Sequence, residues 1–329
     1  MVMQADINEV LQQRADVNAR LALIPYEGTP EVKERDSKRY LYMRKRAGGR
    51  LTSTYVDVYS EELHQLLLKN AADARALRKQ LRALERQLAQ LGYSEGELSP
   101  RVLLNLDFAR ANLKSSIYDQ AVLEGVSTTF PQTEDIIENG RVSGVAASDV
   151  QKILNLKHAW EFILDADVLR CPSDFPLLSH IARLVNEGFY QDGGRVRGVP
   201  VAIGGTSYVP PLPQETVVRE QLSEILARAG EPIDKAVELC ISCMKWQVFI
   251  DGNKRASIIY ANHYLVAQGG GLLVVPEGLV PEFRALLVAH YEGAGTDELA
   301  AFMKEACWRQ LGECVPMILS TDSSGDFAC

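Results

Sequence analysis

Residues 246–255 read Trp246-Gln247-Val248-Phe249-Ile250-Asp251-Gly252-Asn253-Lys254-Arg255 and join two stretches with helical periodicity. The first stretch covers residues 232–249, and the second covers residues 253–268. Gly252 and Asn253 can adopt the positive-φ backbone geometry that forms an anion-binding nest. A helix that starts at Asn253 presents unpaired N–H groups and the positive end of its dipole. The stretch therefore predicts a polyphosphate site at a helix N-terminus.

The charged side chains of this stretch fit the same site. Lys254 and Arg255 lie in the first helical turn, where they would oppose the helix dipole unless an anion offsets them. Asp251 supplies the carboxylate oxygen that Mg²⁺ prefers in proteins. We therefore expect Asp251 to be the metal ligand. The expected nucleotide contacts are Gly252, Asn253, Lys254 and Arg255.

The stretch resembles the motif of the Fic/Doc family, H-x-F-x-[DE]-G-N-G-R-x-x-R in Fic proteins, with N-K-R replacing N-G-R in Doc proteins. Lys254 is Doc-like, and five other positions match: Phe249, Asp251, Gly252, Asn253 and Arg255. The resemblance covers about residues 100 to 310. It implies an all-α fold, a Fic-type helical bundle with a short β-hairpin flap. It also implies ATP and Mg²⁺ as cofactors and AMP transfer to a protein hydroxyl as the activity.

Two other segments resemble parts of this family. Ile203-Gly204-Gly205-Thr206, followed by Pro210-Pro211, is similar to the flap, a hairpin that docks a target protein by β-augmentation. The segment at residues 123–129 is similar to the glutamate-glycine segment of Fic proteins whose inhibitory helix precedes the core. The resemblance implies that Glu124 is inhibitory and that an unknown protein target docks on the flap.

Two departures from the motif affect the implied chemistry. The catalytic histidine of the family, which takes the proton from the target hydroxyl, falls on Gln247. An amide cannot accept that proton near neutral pH, and losing a general base costs about 10²- to 10⁴-fold in rate. The last arginine of the motif, the usual partner of the inhibitory glutamate, falls on Ile258. Glu124 would then pair with Lys254 or Arg255.

Several functions remain open from the sequence. The first is AMP transfer, impaired by Gln247, with Asp251, Asn253 and Arg255 at the other catalytic positions. Lys254 favours a Doc-like transfer of the γ-phosphate, and Glu124 could instead activate water to remove AMP from a modified target. A catalytically silent ATP-binding regulator is favoured by Gln247. A nucleic-acid-associated protein is the last alternative.

The N-terminal region contains two β-prone runs that flank Gly48-Gly49 over residues 38–58, which predicts a β-hairpin. From Glu31 to Arg50 there are eight basic residues and three acidic ones. Such a basic hairpin can contact nucleic acid or an acidic partner. The sequence favours a solvated surface over either contact, because short basic runs give many false positives.

A heptad pattern follows the hairpin and predicts a long helix from Ser60 to Gly92. The apolar seam could pair with a second copy of the chain to form a homodimer, or pack on the chain's own body. Ser99-Pro100 is a helix N-cap followed by proline at the first helical position. We expect this helix to end at Glu124-Gly125, where the glycine supplies a left-handed C-terminal cap, and a last helix to cover residues 296–311. We therefore expect an accessory region at residues 1–95, the Fic domain at 96–315 and a disordered tail at 316–329.

The composition fits an ordinary folded protein, with a net charge of −8 over 329 residues. The acidic balance argues against a chain devoted wholly to nucleic acid. We expect a cytoplasmic protein without a membrane segment, because no signal peptide or long apolar run is evident. Cys240 and Cys243 lie in a predicted buried helix, so core packing is favoured over metal binding.

Overall fold

The computed structural model describes residues 2–140 and 142–311, in which 13 α-helices and two small antiparallel sheets form. The helices are α1 (Val2–Leu23), α2 (Glu61–Gln90), α3 (Pro100–Ala111), α4 (Leu113–Leu123), α5 (Phe130–Asn139), α6 (Ala147–Ile163), α7 (Ala166–Leu169), α8 (Phe175–Val185), α9 (Glu215–Ala227), α10 (Pro232–Trp246), α11 (Asn253–Ala267), α12 (Val280–Tyr291) and α13 (Asp297–Ala306). The strands are β1 (Thr29–Arg35), β2 (Lys38–Ala47), β3 (Arg50–Val58), β4 (Leu272–Leu273) and β5 (Trp308–Arg309). A 3₁₀ turn covers Glu277–Leu279.

The predicted N-terminal hairpin is part of a larger sheet. Strands β2 and β3 form the expected pair around Gly48-Gly49, and β1 adds a third antiparallel strand on the other side of β2. The strand β1 carries mostly charged and exposed residues, so no hydrophobic alternation predicted it. Leu41 and Met43 of β2 are buried against α2, which covers one face of the sheet.

The predicted heptad helix is α2, and its bounds agree with the sequence expectation. Ser60 is the N-cap, and its side chain accepts a hydrogen bond from the backbone N–H of Leu63 at 3.2 Å. The apolar seam packs within the chain. Its first half contacts the sheet through Leu63 and Leu67, whereas Leu84 and Leu88 pack on α1.

Helix α1 docks on the main helical body through three ion pairs, two of them largely buried and the Arg20–Glu187 pair partly exposed. Nitrogen–oxygen distances are 2.6 Å for Arg14–Asp167, 2.8 Å for His158–Asp16 and 2.9 Å for Arg20–Glu187. Burial alone would raise the pKa of the Asp16 carboxyl. The hydrogen bond from His158 and the nearby positive charges outweigh that effect and hold this pKa well below its usual range.

Asp16→Asn is expected to lower the free energy of unfolding by about 2 to 4 kcal/mol at pH 7, because it leaves His158 and Arg20 short of a buried partner. A carboxyl with a lowered pKa in the folded state contributes stability above its unfolded pKa, and that contribution is lost as pH falls. Urea denaturation should therefore show a parent–variant difference that shrinks in acid. Asp73→Asn, on the exposed face of α2, is the control and should have no effect. Equal stabilities of the parent and Asp16→Asn at pH 7 would contradict the role of this pair.

The core of the main body surrounds α11, most of whose residues are buried. Helices α6, α8 and α10 pack around it, and its start at Asn253 agrees with the prediction. The helix predicted for residues 99–124 is interrupted at Asn112, whose side chain donates to the carbonyl of Phe108 at 2.8 Å. The helix predicted for residues 296–311 is wrong beyond Ala306, because residues 308–309 pair with β4 instead.

Cys240 and Cys243 are buried in α10, where burial raises the pKa of both thiols. The prediction of core packing is confirmed, and the described residues contain no cluster of three or more metal-ligating side chains. Among those same residues, no helix is both long enough and apolar enough to span a membrane. The predicted tail at residues 316–329 lies outside the described residues.

Candidate functional site

The side chain of Asn253 closes the loop between α10 and α11. The backbone N–H of Phe249 donates to Asn253 Oδ1 at 2.9 Å. Asn253 Nδ2 donates to the carbonyl of Phe249 at 2.9 Å and to Gln247 Oε1 at 3.2 Å. These three bonds close the loop on itself, so residues 247–253 are positioned before any ligand binds.

Gly252 turns the chain into α11 with a left-handed φ of 72°. A Cβ atom at this position would lie 2.7 Å from Asn186 Oδ1, so a larger residue would clash as well as strain the backbone. Asn186 Nδ2 donates to the carbonyl of Asp251 at 2.9 Å and holds the loop from the other side. The first N–H groups of α11 have no helical acceptor and lie at the turn, as the anion-site prediction requires.

Arg255 is almost fully buried, at 3% exposure, and its guanidinium donates hydrogen bonds to two acceptors. Nη1 donates to the carbonyl of Val185 at 2.9 Å, and Nη2 donates to Asp251 Oδ2 at 3.0 Å. The Asp251 side chain is 51% exposed, so its carboxylate remains open to solvent beside the helix start. Lys254 lies next to this pair and is partly exposed.

Glu124 caps the C-terminus of α4 and faces the start of α11. Gly125 follows it with a left-handed φ of 76°, the cap expected from the Glu-Gly pair. Glu124 Oε1 lies 3.6 Å from Lys254 Nζ, and Glu124 Oε2 lies 3.5 Å from Arg255 Nε. The structure thus brings Glu124 to both of the cations that the sequence named as alternative partners.

Two buried atoms of this ion cluster lack a hydrogen-bond partner in the described part of the chain: Glu124 Oε1 and Arg255 Nε. A buried polar group without a hydrogen bond is costly, and such groups often mark a site that a ligand completes. Glu124 and Arg255 are therefore close enough to attract each other, but Glu124 Oε1 and Arg255 Nε each lack a hydrogen bond. A phosphate oxygen in place of the carboxylate would be able to accept from Arg255 Nε.

Gln247 follows α10 in the left-handed conformation, with φ of 47°. Its Nε2 donates to the carbonyl of Met244 at 2.6 Å, and its Oε1 accepts from Asn253. Both ends of the amide are thus occupied, and neither can take a proton near neutral pH. His263 does not substitute for it, because its ring is fully buried and bonded to the carbonyl of Val168 and to Ser173.

The predicted flap lies at residues 198–211 and turns at Gly204-Gly205. The strands expected on either side of this turn are wrong, since no ladder forms between the two arms. Prolines at 200, 210 and 211 remove backbone donors that a ladder would need. Ile203 packs against the apolar cluster around α10 and α12, and Thr206 Oγ1 donates to Glu292 Oε1 at 2.9 Å.

The side chain of Arg197 links the two arms of the flap, which no strand pairing connects. Its guanidinium donates to the carbonyls of Val199 at 2.8 Å and Pro211 at 2.6 Å, one on each arm. Nε donates to the carbonyl of Gln247 at 2.6 Å, which links the flap base to the loop before α11. Burial lowers the pKa of this guanidinium, which is only 5% exposed.

A comparison with protein-family models finds a match over most of the residues that form this site. Residues 174–265, from α8 to α11, match the model of the Fic/DOC family. The chain contains a Fic domain. Residues 4–65 match a second model, a domain of unknown function (DUF6788), which covers most of α1, the three-stranded sheet and the start of α2. A comparison with curated proteins finds no match.

A search of solved structures finds Fic proteins, one of which shares the fold of this chain with a TM-score above 0.5. A Fic domain-containing signaling protein from Bacteroides thetaiotaomicron superposes with a TM-score of 0.51 and 18% identity, over 63% of this chain and 85% of that one. Fic-1 from C. elegans gives a TM-score of 0.49 and 18% identity, over 72% of each chain. At 18% identity, the Bacteroides structure supports a shared fold and nothing about function.

Ile258, at the motif position of the last arginine, has no polar role in this Fic domain. It is 2% exposed and belongs to an apolar cluster that includes Leu123, the residue before Glu124. The position therefore faces the junction of α4 and α11, but with a hydrophobic side chain. This placement explains why Glu124 pairs with the first turn of α11 and not with residue 258.

Two structural residues of the Fic domain site were missed by sequence reasoning, Arg197 and Asn186. Arg195 and Arg197 look equivalent in the sequence, yet the side chain of Arg195 is 78% exposed and pairs only with Asp192. Asn186 ends α8, where an asparagine is unremarkable as a helix terminus. No local signal separates either residue from its neighbours, because the bonds that tie them to the loop before α11 reach residues about 50 or more positions away.

Proposed function

We propose that this chain binds ATP with Mg²⁺ at the N-terminus of α11 and transfers AMP to a protein hydroxyl at a low rate. The observation that carries the proposal is the preformed loop 247–253, closed by Asn253 and followed by a helix start with free N–H groups. That arrangement supports polyphosphate binding by geometry as well as by charge. The match to the Fic/DOC family supports nucleotide transfer as the reaction class.

The described residues fit a nucleotide with a magnesium ion. Mg²⁺ usually keeps several waters and takes one or two carboxylates along with phosphate oxygens, so Asp251 is enough as a protein ligand. When bound, the ion would offset negative charge on the phosphates. Lys254 and Arg255 would contact phosphate oxygens, and the unpaired Arg255 Nε is the donor available for one of them.

AMP transfer requires attack of a target hydroxyl oxygen on the α-phosphorus while pyrophosphate leaves. The hydroxyl proton needs an acceptor, and the amide of Gln247 is not one. Transfer would then depend on positioning and charge stabilisation alone, with the proton released to water. The target protein would dock along the flap at residues 203–206. Arg197 holds the base of this flap in place.

Incubation of the chain with ATP labelled at the α- or the γ-phosphate tests this proposal. Label incorporated into the chain itself or into a lysate protein from the α position only is the expected result. Incorporation from the γ position only would favour phosphate transfer, and loss of label from a pre-modified target would favour hydrolysis through Glu124. Either of these results would overturn AMP transfer as the activity.

A second candidate function is an ATP-binding regulator without turnover. The observation that favours it is the double engagement of the Gln247 amide by Met244 and Asn253, which stabilises the loop without any proton acceptor. This function predicts saturable ATP binding together with label transfer at background from both positions. Calorimetric titration of ATP and Mg²⁺ into the same preparation separates it from a chain that does not bind nucleotide.

Glu124→Gly is expected to tighten ATP binding by about tenfold, which corresponds to roughly 1.4 kcal/mol. In the parent, the carboxylate neutralises Lys254 and Arg255 at 3.6 and 3.5 Å and competes with phosphate for them. Opposite charges at 4 Å attract by about 4 kcal/mol at an effective dielectric near 20, before desolvation is subtracted. The measurement is the dissociation constant of ATP with Mg²⁺ by calorimetry.

Glu124→Gln separates charge from volume, since it keeps the size of the side chain and should still tighten binding. Glu134→Gly is the matched control, because this glutamate lies on the surface and pairs with Lys114. It should leave ATP affinity unchanged. Equal or weaker ATP binding in both Glu124 variants would mean that Glu124 does not restrain the site and that α4 serves only the core.

A further inference from the structure

The sheet face that points away from α2 carries a cluster of tyrosines. Neighbouring residues on a strand alternate between faces, and directly paired residues share a face. Because Leu41 and Met43 are buried under α2, Tyr40 and Tyr42 lie on the opposite face. Tyr55 joins them there, since it pairs directly with Tyr42 across β2 and β3.

The three rings form a partly exposed aromatic cluster, in which Lys33 Nζ lies 4.4 Å from the centre of the Tyr42 ring. Ring centroids are 5.6 Å apart for Tyr42–Tyr55 and 6.3 Å apart for Tyr40–Tyr55. Tyr55 is 50% exposed, and Leu51 on the same face is 61% exposed. Apolar surface of this kind is costly to leave in water and commonly marks a binding surface.

The same face carries a local excess of positive charge. Strand register places one acidic side chain, Glu31, and five basic ones on it: Lys33, Arg35, Lys38, Arg44 and Arg46. Lys33 and Arg44 both approach Glu31, at 3.6 and 4.0 Å. Within the described part of the chain, neither Lys38 nor Arg46 forms an ion pair. On a chain with a net charge of −8, this excess points to an anionic partner.

We propose that this tyrosine-basic face, defined by the three tyrosines and five cations above, binds single-stranded nucleic acid. Exposed aromatic rings stack on unpaired bases of any sequence, while basic side chains along the strands neutralise phosphates. The face is long enough for several nucleotides, since eight residue steps along β2 span about 27 Å. It lies apart from the ATP site, and the inference does not rest on the proposed transferase activity.

Other anionic partners fit the face less well. A duplex hides its base faces in the stack, so it would engage the cations and leave the tyrosine rings without a partner. An acidic peptide would likewise use the charges and offer nothing flat to the rings. The combination of exposed rings and cations on one sheet face therefore selects unpaired bases.

Fluorescence anisotropy of a labelled 12-nucleotide oligothymidylate, titrated with the full chain, tests the proposal. The expected result is saturable binding that weakens as salt rises, because phosphate contacts release counterions. Tyr55→Ala should weaken binding about tenfold through loss of one stacking contact. The double variant Arg44→Glu with Arg46→Glu should weaken it by about tenfold or more.

A matched control separates this face from general charge. Arg82→Glu with Arg86→Glu makes the same change in net charge on exposed positions of α2 and should bind as the parent does. Thermal melts followed by circular dichroism verify that each variant is folded. Any of four results overturns the proposal: no binding by the parent at low salt, equal loss in the control, parent-like binding by Tyr55→Ala, or equally tight binding of a 12-base-pair duplex or polyglutamate.

Discussion

Gln247→His is expected to raise transfer of α-labelled AMP by about 10²- to 10⁴-fold, the usual contribution of a general base. The neutral imidazole has one nitrogen that can accept the hydroxyl proton, whereas the parent amide has none. The surrounding loop should stay in place, because Asn253 holds it mainly through the backbone of Phe249. Label transfer to the chain itself or to a lysate protein is the measurement.

Two further variants make this result interpretable. Gln247→Asn keeps an amide at the position and should stay at the parent rate. Combining Gln247→His with Glu124→Gly should give the highest transfer, since the base is restored and the competing carboxylate is removed. Background transfer in that double variant would show that the missing base is not what limits this chain.

Arg255→Ala and Asp251→Ala are each expected to weaken binding of ATP with Mg²⁺ by about 100-fold. Arg255 is the most buried cation of the site, and its Nε has no hydrogen-bond partner among the described residues. Asp251 orients that guanidinium at 3.0 Å and is the candidate ligand of the metal. Calorimetric titration with and without Mg²⁺ measures both effects.

Folding has to be checked for Arg255→Ala, because the variant removes the closer of two donors to the buried carbonyl of Val185 and leaves only Asn155 Nδ2 at 3.3 Å. Asp251→Asn avoids that difficulty, since the Asp251 side chain is half exposed and the substitution keeps its size. Arg195→Ala and Asp192→Ala remove a surface ion pair of similar spacing and should leave ATP affinity unchanged. Unchanged affinity in both site variants would place the nucleotide elsewhere or nowhere on this chain.

Much of the candidate site could be predicted because its determinants lie close together in the chain. Gly252 and Asn253 set the turn into α11, and the three hydrogen bonds of the Asn253 side chain span six residues or fewer. Ser60 and Ser99 start their helices by accepting hydrogen bonds from the N–H three residues ahead. Periodicity and capping act over the same short range, so the bounds of α2 and the start of α11 could be read directly.

The partner of Glu124 required the folded chain. The sequence offered Lys254 and Arg255 as alternatives, and the packing of α4 on α11 brings the carboxylate to both. Glu124 lies more than 120 residues before Lys254 and Arg255 in the sequence, so no local pattern could select one of the two cations as its partner. Leu123 and Ile258 belong to one buried apolar cluster, and Gln120 of α4 donates to the carbonyl of Arg255 at 3.0 Å, so the end of α4 lies beside the start of α11.

At the flap, the local sequence pattern predicted strands that the structure does not contain. Alternating apolar residues around Gly204-Gly205 favour strands, but the arms are held by the guanidinium of Arg197 in place of a ladder. Strand β1 was missed for the converse reason, since its charged residues pair with β2 without a hydrophobic alternation.

Local hydrogen bonds and periodicity determined the helix starts, the positive-φ turn at Gly252 and the residue types of the candidate site. Tertiary packing alone decided that α1 docks through Asp16 and His158, and that Tyr55 and Lys33 join Tyr40 and Tyr42 on one face of the sheet. The physical reason is that a buried charge or a strand pairing gains its energy from a partner that is distant in sequence. Its position therefore depends on the whole fold and not on neighbouring residues.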